Sequence, residues 1–200
     1  NPSEPTCWSF EESSGAPGFG YTDAGITYAR GGVGKSFRFF TSSNIANGHT
    51  MAFISPQIAN MTTTPKQMEF WIRSRSSGSS YDVKVAVGTV AGHNMINTFV
   101  PLDTISIGNN TTYQKFTVLF DTANGYNGTH DYIAIYDISD GNDSYNIDDI
   151  TISDMPTCLP STNAVVGNIT NNTATITWTP GQGLSQEVIY GPVGFTQATA

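Results

Sequence analysis

Apolar and polar residues alternate along this chain in short runs separated by turn-forming residues. In 67–73, Met68, Phe70 and Ile72 share one face, and Glu69, Trp71 and Arg73 share the other. Val83, Val85 and Val87 repeat the pattern over 81–87, and Phe116, Val118 and Phe120 over 113–120. Segments 35–40, 51–55, 132–136 and 147–152 read as further strands. No segment sustains the i, i+3, i+4, i+7 spacing of an amphipathic helix, and no apolar run is long enough to span a membrane. The pattern predicts an all-β chain of eight or more short strands in an antiparallel sandwich.

The alternation breaks at Met155-Pro156-Thr157-Cys158-Leu159-Pro160, where two prolines fit a linker. The expected organisation is a sandwich domain over 1–157 and a second unit over 158–200. Strand-like segments resume at 165–169, 174–180 and 187–190. Ala174, Ile176 and Trp178, followed by Val188-Ile189-Tyr190-Gly191-Pro192, resemble strands B and C of a fibronectin type III domain. Such a domain needs roughly 90–100 residues, so only its N-terminal part is expected here.

Composition narrows the function. The apolar fraction is 38%, adequate for a sandwich core, and charged residues are only 12%. With a net charge of −8 and eight Lys and Arg, the chain lacks the clustered basic surface that nucleic acid requires. The acidic excess is compatible with cation binding and an extracellular setting, or with solubility alone. The two cysteines, Cys7 and Cys158, have no Cys or His at metal-ligand spacing. The alternatives are two free thiols or one bridge. We expect the bridge, in an oxidising compartment, which would also make the first and last strands of the domain neighbours.

Cys7-Trp8-Ser9-Phe10-Glu11, Phe53-Ile54-Ser55-Pro56, Glu69-Phe70-Trp71 and Ile147-Asp148-Asp149-Ile150-Thr151-Ile152 occur in that order. Together they resemble the MAM-like jelly-roll modules of secreted bacterial proteins, including the cleaved-adhesin type, over about residues 7–158. The resemblance implies a jelly-roll β-sandwich that often stands beside fibronectin type III repeats. It also implies a structural calcium between the first and last strands, with Glu11 and Asp148 or Asp149 as ligands. Seven of the sixteen acids lie between Asp131 and Asp154, and calcium takes about 6–8 oxygen ligands. Asp148 shares strand parity with Ile150 and Ile152, so it is expected to point towards the core. There a carboxylate would need a counter-ion.

Exposed aromatic faces stack on sugar rings, and neighbouring polar groups bond the hydroxyls. Trp71 is a candidate because Met68, Phe70 and Ile72 already supply the core face of its strand; Arg73 lies on its own face. Tyr126 and Tyr132, set among Gly, Asn and Asp, are further ligand-binding candidates. Catalysis finds little support. His49, His93 and His130 are dispersed, and no Gly-x-Ser-x-Gly elbow occurs. Gly31-Gly32-Val33-Gly34-Lys35-Ser36 lacks the first glycine of a phosphate loop and reads as a turn before a strand. The expected function is a non-catalytic module of a larger secreted or cell-surface protein. It would bind a glycan or a host or surface protein and adjoin other domains of the same polypeptide. The alternative is a spacer beside a secreted hydrolase.

Overall fold

Among the described residues, ten strands form between Ser9 and Asp154: β1 (Ser9–Glu12), β2 (Gly18–Asp23), β3 (Ser36–Thr41), β4 (Met51–Ile54), β5 (Lys66–Ser74), β6 (Val83–Val90), β7 (Val100–Gly108), β8 (Gln114–Phe120), β9 (Tyr132–Asp137) and β10 (Ser144–Asp154). They make two five-stranded antiparallel sheets, ordered β1-β4-β9-β6-β7 and β2-β3-β10-β5-β8. The computed structural model describes residues 7–12, 18–41, 50–78, 82–139, 143–157, 161–181, 188 and 191. It divides the chain into two units, Asn1–Met155 and Pro156–Ala200.

The all-β antiparallel sandwich expected from the alternation, and the jelly roll that the resemblance implies, are the fold observed. Met68, Phe70 and Ile72 of β5 are fully buried, as are Val83, Val85 and Val87 of β6. They meet Ile133 and Ile135 of β9 and Phe120 of β8 in one core between the sheets. Aromatic rings dominate one part of it. Phe53 stacks on Phe37 at 3.7 Å and on Trp8 at 4.5 Å, and Phe39 stacks on Tyr145 at 4.9 Å. Each large ring buries well over 100 Å², and such pairs add about 0.5–1.5 kcal/mol beyond burial.

Two expectations are corrected. The first and last strands of the domain are not neighbours. β1 pairs with β4, whereas β10 lies between β3 and β5 in the other sheet. Asp148 does not point inward with Ile150 and Ile152. Tyr145 and Ile147 are the inward residues of early β10, and the register shifts between Asp148 and Thr151. Asp149, at φ 48°, takes the left-handed conformation of a bulge. The extra residue switches the parity, so Asp148 faces outward while Ile150 and Ile152 still pack on the core.

β2 and β7 are strands that the alternation did not predict. β2, Gly-Phe-Gly-Tyr-Thr-Asp, has glycines where an apolar face is expected, and the space is filled from across the sandwich. A Cβ on Gly20 would stand 2.3 Å from the Phe10 ring. In the second unit, β11 (Thr162–Gly167) and β12 (Thr175–Thr179) pair antiparallel, with Val166 opposite Ile176. The third strand expected there, at 187–190, lies outside the described residues except for Val188. Cys7 is exposed, and its proposed partner Cys158 is also outside the described residues.

A pair of acids is buried where β9 runs towards β10. Asp137 and Asp143 are both fully buried. Asp137 Oδ1 accepts the Ser139 amide at 3.0 Å, and Asp143 Oδ1 accepts the Asp82 amide at 3.1 Å. The Tyr145 hydroxyl lies beside Asp137 but outside hydrogen-bond geometry. Burial, reinforced by the Asp143 charge, pushes the Asp137 carboxyl up to about 6. The unfolded chain releases this proton near pH 3.8, so between about pH 4 and 6 only the folded state holds it. The contribution of this group to stability therefore rises as pH falls through that window and levels off above about 6. Asp23 is held below its ordinary value and so acts only at lower pH. Urea unfolding at pH 7 and pH 5 should show a gain at pH 5 of about 1 kcal/mol from Asp137, and Asp137→Asn should flatten the profile.

Candidate functional site

The outer faces of the two sheets differ in chemistry. On the β1-β4-β9-β6-β7 sheet, Ala52, Ile54, Val90 and Ala134 form a small buried cluster. Ile96 and Phe99, from the segment between β6 and β7, pack over it, and Phe99 stacks on Tyr136 at 4.6 Å. That face is closed by its own chain. Gly88 permits the approach, since a Cβ there would meet the Val100 carbonyl at 2.1 Å.

The outer face of the β2-β3-β10-β5-β8 sheet carries rings and guanidinium groups. Cross-strand register puts Tyr21 of β2 opposite Arg38 of β3, Arg38 opposite Asn146 of β10, and Asn146 opposite Arg73 of β5. Arg73 lies over Tyr113, just before β8, at 5.8 Å. A line of aromatic, Arg, Asn, Arg and aromatic residues therefore runs from β2 across β3, β10 and β5 to the residue before β8, with Asn146 at its centre fully buried. Beside it Phe19 pairs with Phe40, the two rings stacked at 4.7 Å, and Phe19 also stacks on Tyr21 at 5.3 Å. Arg38 stands 5.4 to 5.7 Å from these three rings and donates to the Tyr21 hydroxyl at 2.8 Å. Phe19 is 40% exposed, high for a phenylalanine in a folded strand.

The segment between β2 and β3 crosses the middle of this face. The Arg30 amide donates to Asp148 Oδ2 at 2.8 Å, and its guanidinium pairs with Asp149 at 2.5 Å. The same guanidinium covers Trp71 at 4.2 Å. Gly31, Gly32 and Gly34, all with φ between 72° and 81°, then return the chain to β3, as the expected turn does. Tyr28 is held between Arg75, 3.4 Å from its ring, and Tyr113, whose hydroxyl donates to the Tyr28 carbonyl at 2.6 Å. Burial, then the Asp148 charge, pushes the Tyr113 hydroxyl up to about 12. Arg75 pairs with Asp23 and reaches Asn146 Oδ1 at 3.3 Å. Burial alone would raise the Asp23 carboxyl, but the Gly25 amide and the Arg75 guanidinium outweigh it and leave it lowered.

Trp71 and Arg73 thus share this face, as alternation predicts. The other ligand-binding candidates lie elsewhere. Tyr126 is 5% exposed, edge-on to Phe120, and its hydroxyl donates to the His130 carbonyl, so it serves as a core residue. Tyr132 belongs to the other sheet and packs against the cluster around Ala134. Phe19, Arg38 and Phe40 were missed. Their signal is a two-residue alternation hidden in two ways: both faces of β3 carry large side chains, and the inward positions of β2 are glycines.

The expected calcium ligands are not gathered. Glu11 lies on β1, opposite Ala52, on the outward side of one sheet. Asp148 and Asp149 lie outward on the other sheet and are engaged by Arg30. One cation cannot be shared by acids on opposite outer faces of a sandwich whose sheets are about 10 Å apart. Among the described residues no group of three or more His, Cys, Asp or Glu side chains is placed to hold a metal. Glu11 Oε1 accepts the Asn94 amide and the Ser9 hydroxyl, and its Oε2 is buried without a hydrogen-bond partner.

Arg75 ties the covering segment down. Arg75→Ala removes a half-buried ion pair and the contact beneath Tyr28, and should cost about 1–3 kcal/mol. Hydrogen exchange should then speed up at the Tyr28 and Arg30 amides, while the β5 amides keep their protection relative to global stability.

No family model matches the sequence, nor does any curated protein. Solved structures do share its fold. The K1 cleaved adhesin domain of Lys-gingipain from Porphyromonas gingivalis W83 matches with a TM-score of 0.56 and 14% identity, over 76% of this chain and 94% of that one. The K3 domain of the same protein matches at 0.51 with 14% identity, over 74% and 92%. The K2 domain matches at 0.50 with 15% identity, over 74% and 89%. At such identities the likeness is one of fold: this chain has the β-sandwich of the cleaved adhesin domains.

Proposed function

We propose that this chain is a non-catalytic carbohydrate-binding or adhesion module of a larger secreted or cell-surface protein, and that it binds through the outer face of the β2-β3-β10-β5-β8 sheet. The observation that carries the proposal is the stack of Phe19, Tyr21 and Phe40 around Arg38. It is an aromatic platform left open on one face while the equivalent face of the other sheet is covered by its own chain. Flat rings beside hydrogen-bonding groups suit a sugar ring, whose apolar face stacks while its hydroxyls bond. The shared fold with adhesin domains, and the motifs at 7–11 and 147–152, support placing the chain with the cleaved-adhesin modules. Fold likeness alone does not assign a ligand.

Titration of the 200-residue chain against a panel of neutral and acidic polysaccharides tests this. Saturable binding should appear with at least one of them. Phe19→Ala with Tyr21→Ala should weaken it at least about tenfold, since stacked rings contribute roughly 1–2 kcal/mol, with little change in Tm. Binding that survives this double variant moves the site away from the face. No saturable binding anywhere in the panel leaves the spacer role.

We propose structural calcium at Glu11 alone. Its buried and unpartnered Oε2 is the observation in support, because an unpaired buried carboxylate oxygen costs stability that a bound cation would recover. Calcium should raise the Tm of the chain by several degrees over a chelator control, and Glu11→Gln should abolish the shift. An unchanged Tm removes calcium from the proposal.

A further inference from the structure

All four arginines of this chain, at 30, 38, 73 and 75, lie on the candidate face. The chain has a net charge of −8, so its scarce guanidinium groups are concentrated on one surface. Two of them have internal charge partners: Arg30 pairs with Asp149, and Arg75 with Asp23. Arg38 and Arg73 make no ion pair among the described residues. Arg38 donates to Tyr21 and Ser144, and Arg73 to the Ser74 carbonyl, all neutral acceptors.

These two arginines stand on either side of Asn146 in one cross-strand line. Two strand spacings separate their Cα atoms by about 10 Å, close to the span of two pyranose units. Each is flanked by rings, Arg38 by Phe19, Tyr21 and Phe40, and Arg73 by Tyr28 and Tyr113. Ring contact orients a guanidinium before any ligand arrives, so less side-chain freedom is lost on binding. An Arg fork fits the two oxygens of a carboxylate or sulfate, and such charged hydrogen bonds are about twice as strong as neutral ones. Three acids share this face, and Asp23 is near enough to Arg38 to feel its charge, but Asp23 is paired with Arg75 and Asp148 and Asp149 are engaged by Arg30. Acids more than about 8–10 Å away are largely screened at physiological salt.

We infer that the ligand is an acidic polysaccharide, whose sugar rings stack on the aromatics while its anionic groups pair with Arg38 and Arg73. The inference rests on the glycan-binding proposal and goes further by naming the charge of the ligand. The shared chemistry is an anionic group on a pyranose, supplied as a carboxylate or as a sulfate.

The test is calorimetric titration of the full chain with polygalacturonate, the same polymer methyl-esterified, dextran sulfate, dextran and a mixed-linkage β-glucan. The expected result is saturable binding to polygalacturonate or dextran sulfate, at least about tenfold weaker binding to the uncharged counterpart, and affinity that falls with added salt. Which of the two binds identifies the anionic group. Arg38→Gln and Arg73→Gln should each weaken binding about tenfold or more, and Arg38→Lys should restore only part of it because the fork is lost. If either variant fails to fold, the comparison of acidic with esterified polymer and the salt dependence on the unaltered chain still decide. Equal binding of esterified and acidic polymer overturns the inference. Binding only to the neutral glucan, lost in the Phe19 and Tyr21 variant, also overturns it and leaves the glycan-binding proposal standing. Absence of binding to every polymer overturns both.

Discussion

One interior contact orients everything outside it. Phe53 of β4 and Phe37 of β3 stack at 3.7 Å across the space between the sheets, with Trp8 on the far side of Phe53. Phe39 joins from β3 and lies against Tyr145 of β10. Because side chains alternate along a strand, turning Phe37 and Phe39 inward turns Arg38 and Phe40 outward. Turning Tyr145 and Ile147 inward does the same to Asn146 and Asp148. β2 follows through Gly20, whose missing side chain is the space that Phe10 occupies. Phe19 and Tyr21 then have only the outer face left to them. The aromatic platform is thus a consequence of how the core is filled.

The same principle separates the two outer faces. On one, small residues such as Ala52 and Ala134 let the segment before β7 settle closely, and Phe99 and Tyr136 complete a second apolar layer. On the other, long cationic side chains and rings hold the crossing segment at its centre and leave the flanks accessible. Arg30 and Arg75 act as pins, each engaging an acid and a ring together. Arg38 and Arg73 have the ring contacts without an ion pair among the described residues. That difference separates the two arginines that pin the domain from the two that the proposed function assigns to a ligand.

The acids show how chemically similar residues acquire different roles from placement. Asp148 and Asp149 answer to Arg30, Asp23 to Arg75, and Glu11 to the Asn94 amide. Asp137 and Asp143 are enclosed near the β9–β10 connection, where burial raises the Asp137 carboxyl. The run of aspartates near the end of the domain is therefore several unrelated environments rather than one cluster.

Strand identity was legible wherever one face is uniformly apolar, as in Met68-Phe70-Ile72 and Val83-Val85-Val87, because the period of two needs no knowledge of partners. So was the outward placement of Trp71 and Arg73, which follows from the same period. β2 was illegible because its inward positions are glycines filled from across the sandwich. The direction of Asp148 was misread because a bulge at Asp149 reverses parity, and a bulge is set by pairing with β5. The strand pairing was misread too, since two cysteines at the ends of the domain say nothing of sheet order. By itself the sequence determined the fold class, the faces of the regular strands and the scarcity of cations. Only the tertiary structure decided that all four arginines converge on one face, that two of them make no ion pair among the described residues, and that Glu11 lies apart from Asp148. Periodicity is local and therefore written along the chain, whereas which strands adjoin is settled by packing among residues far apart in it.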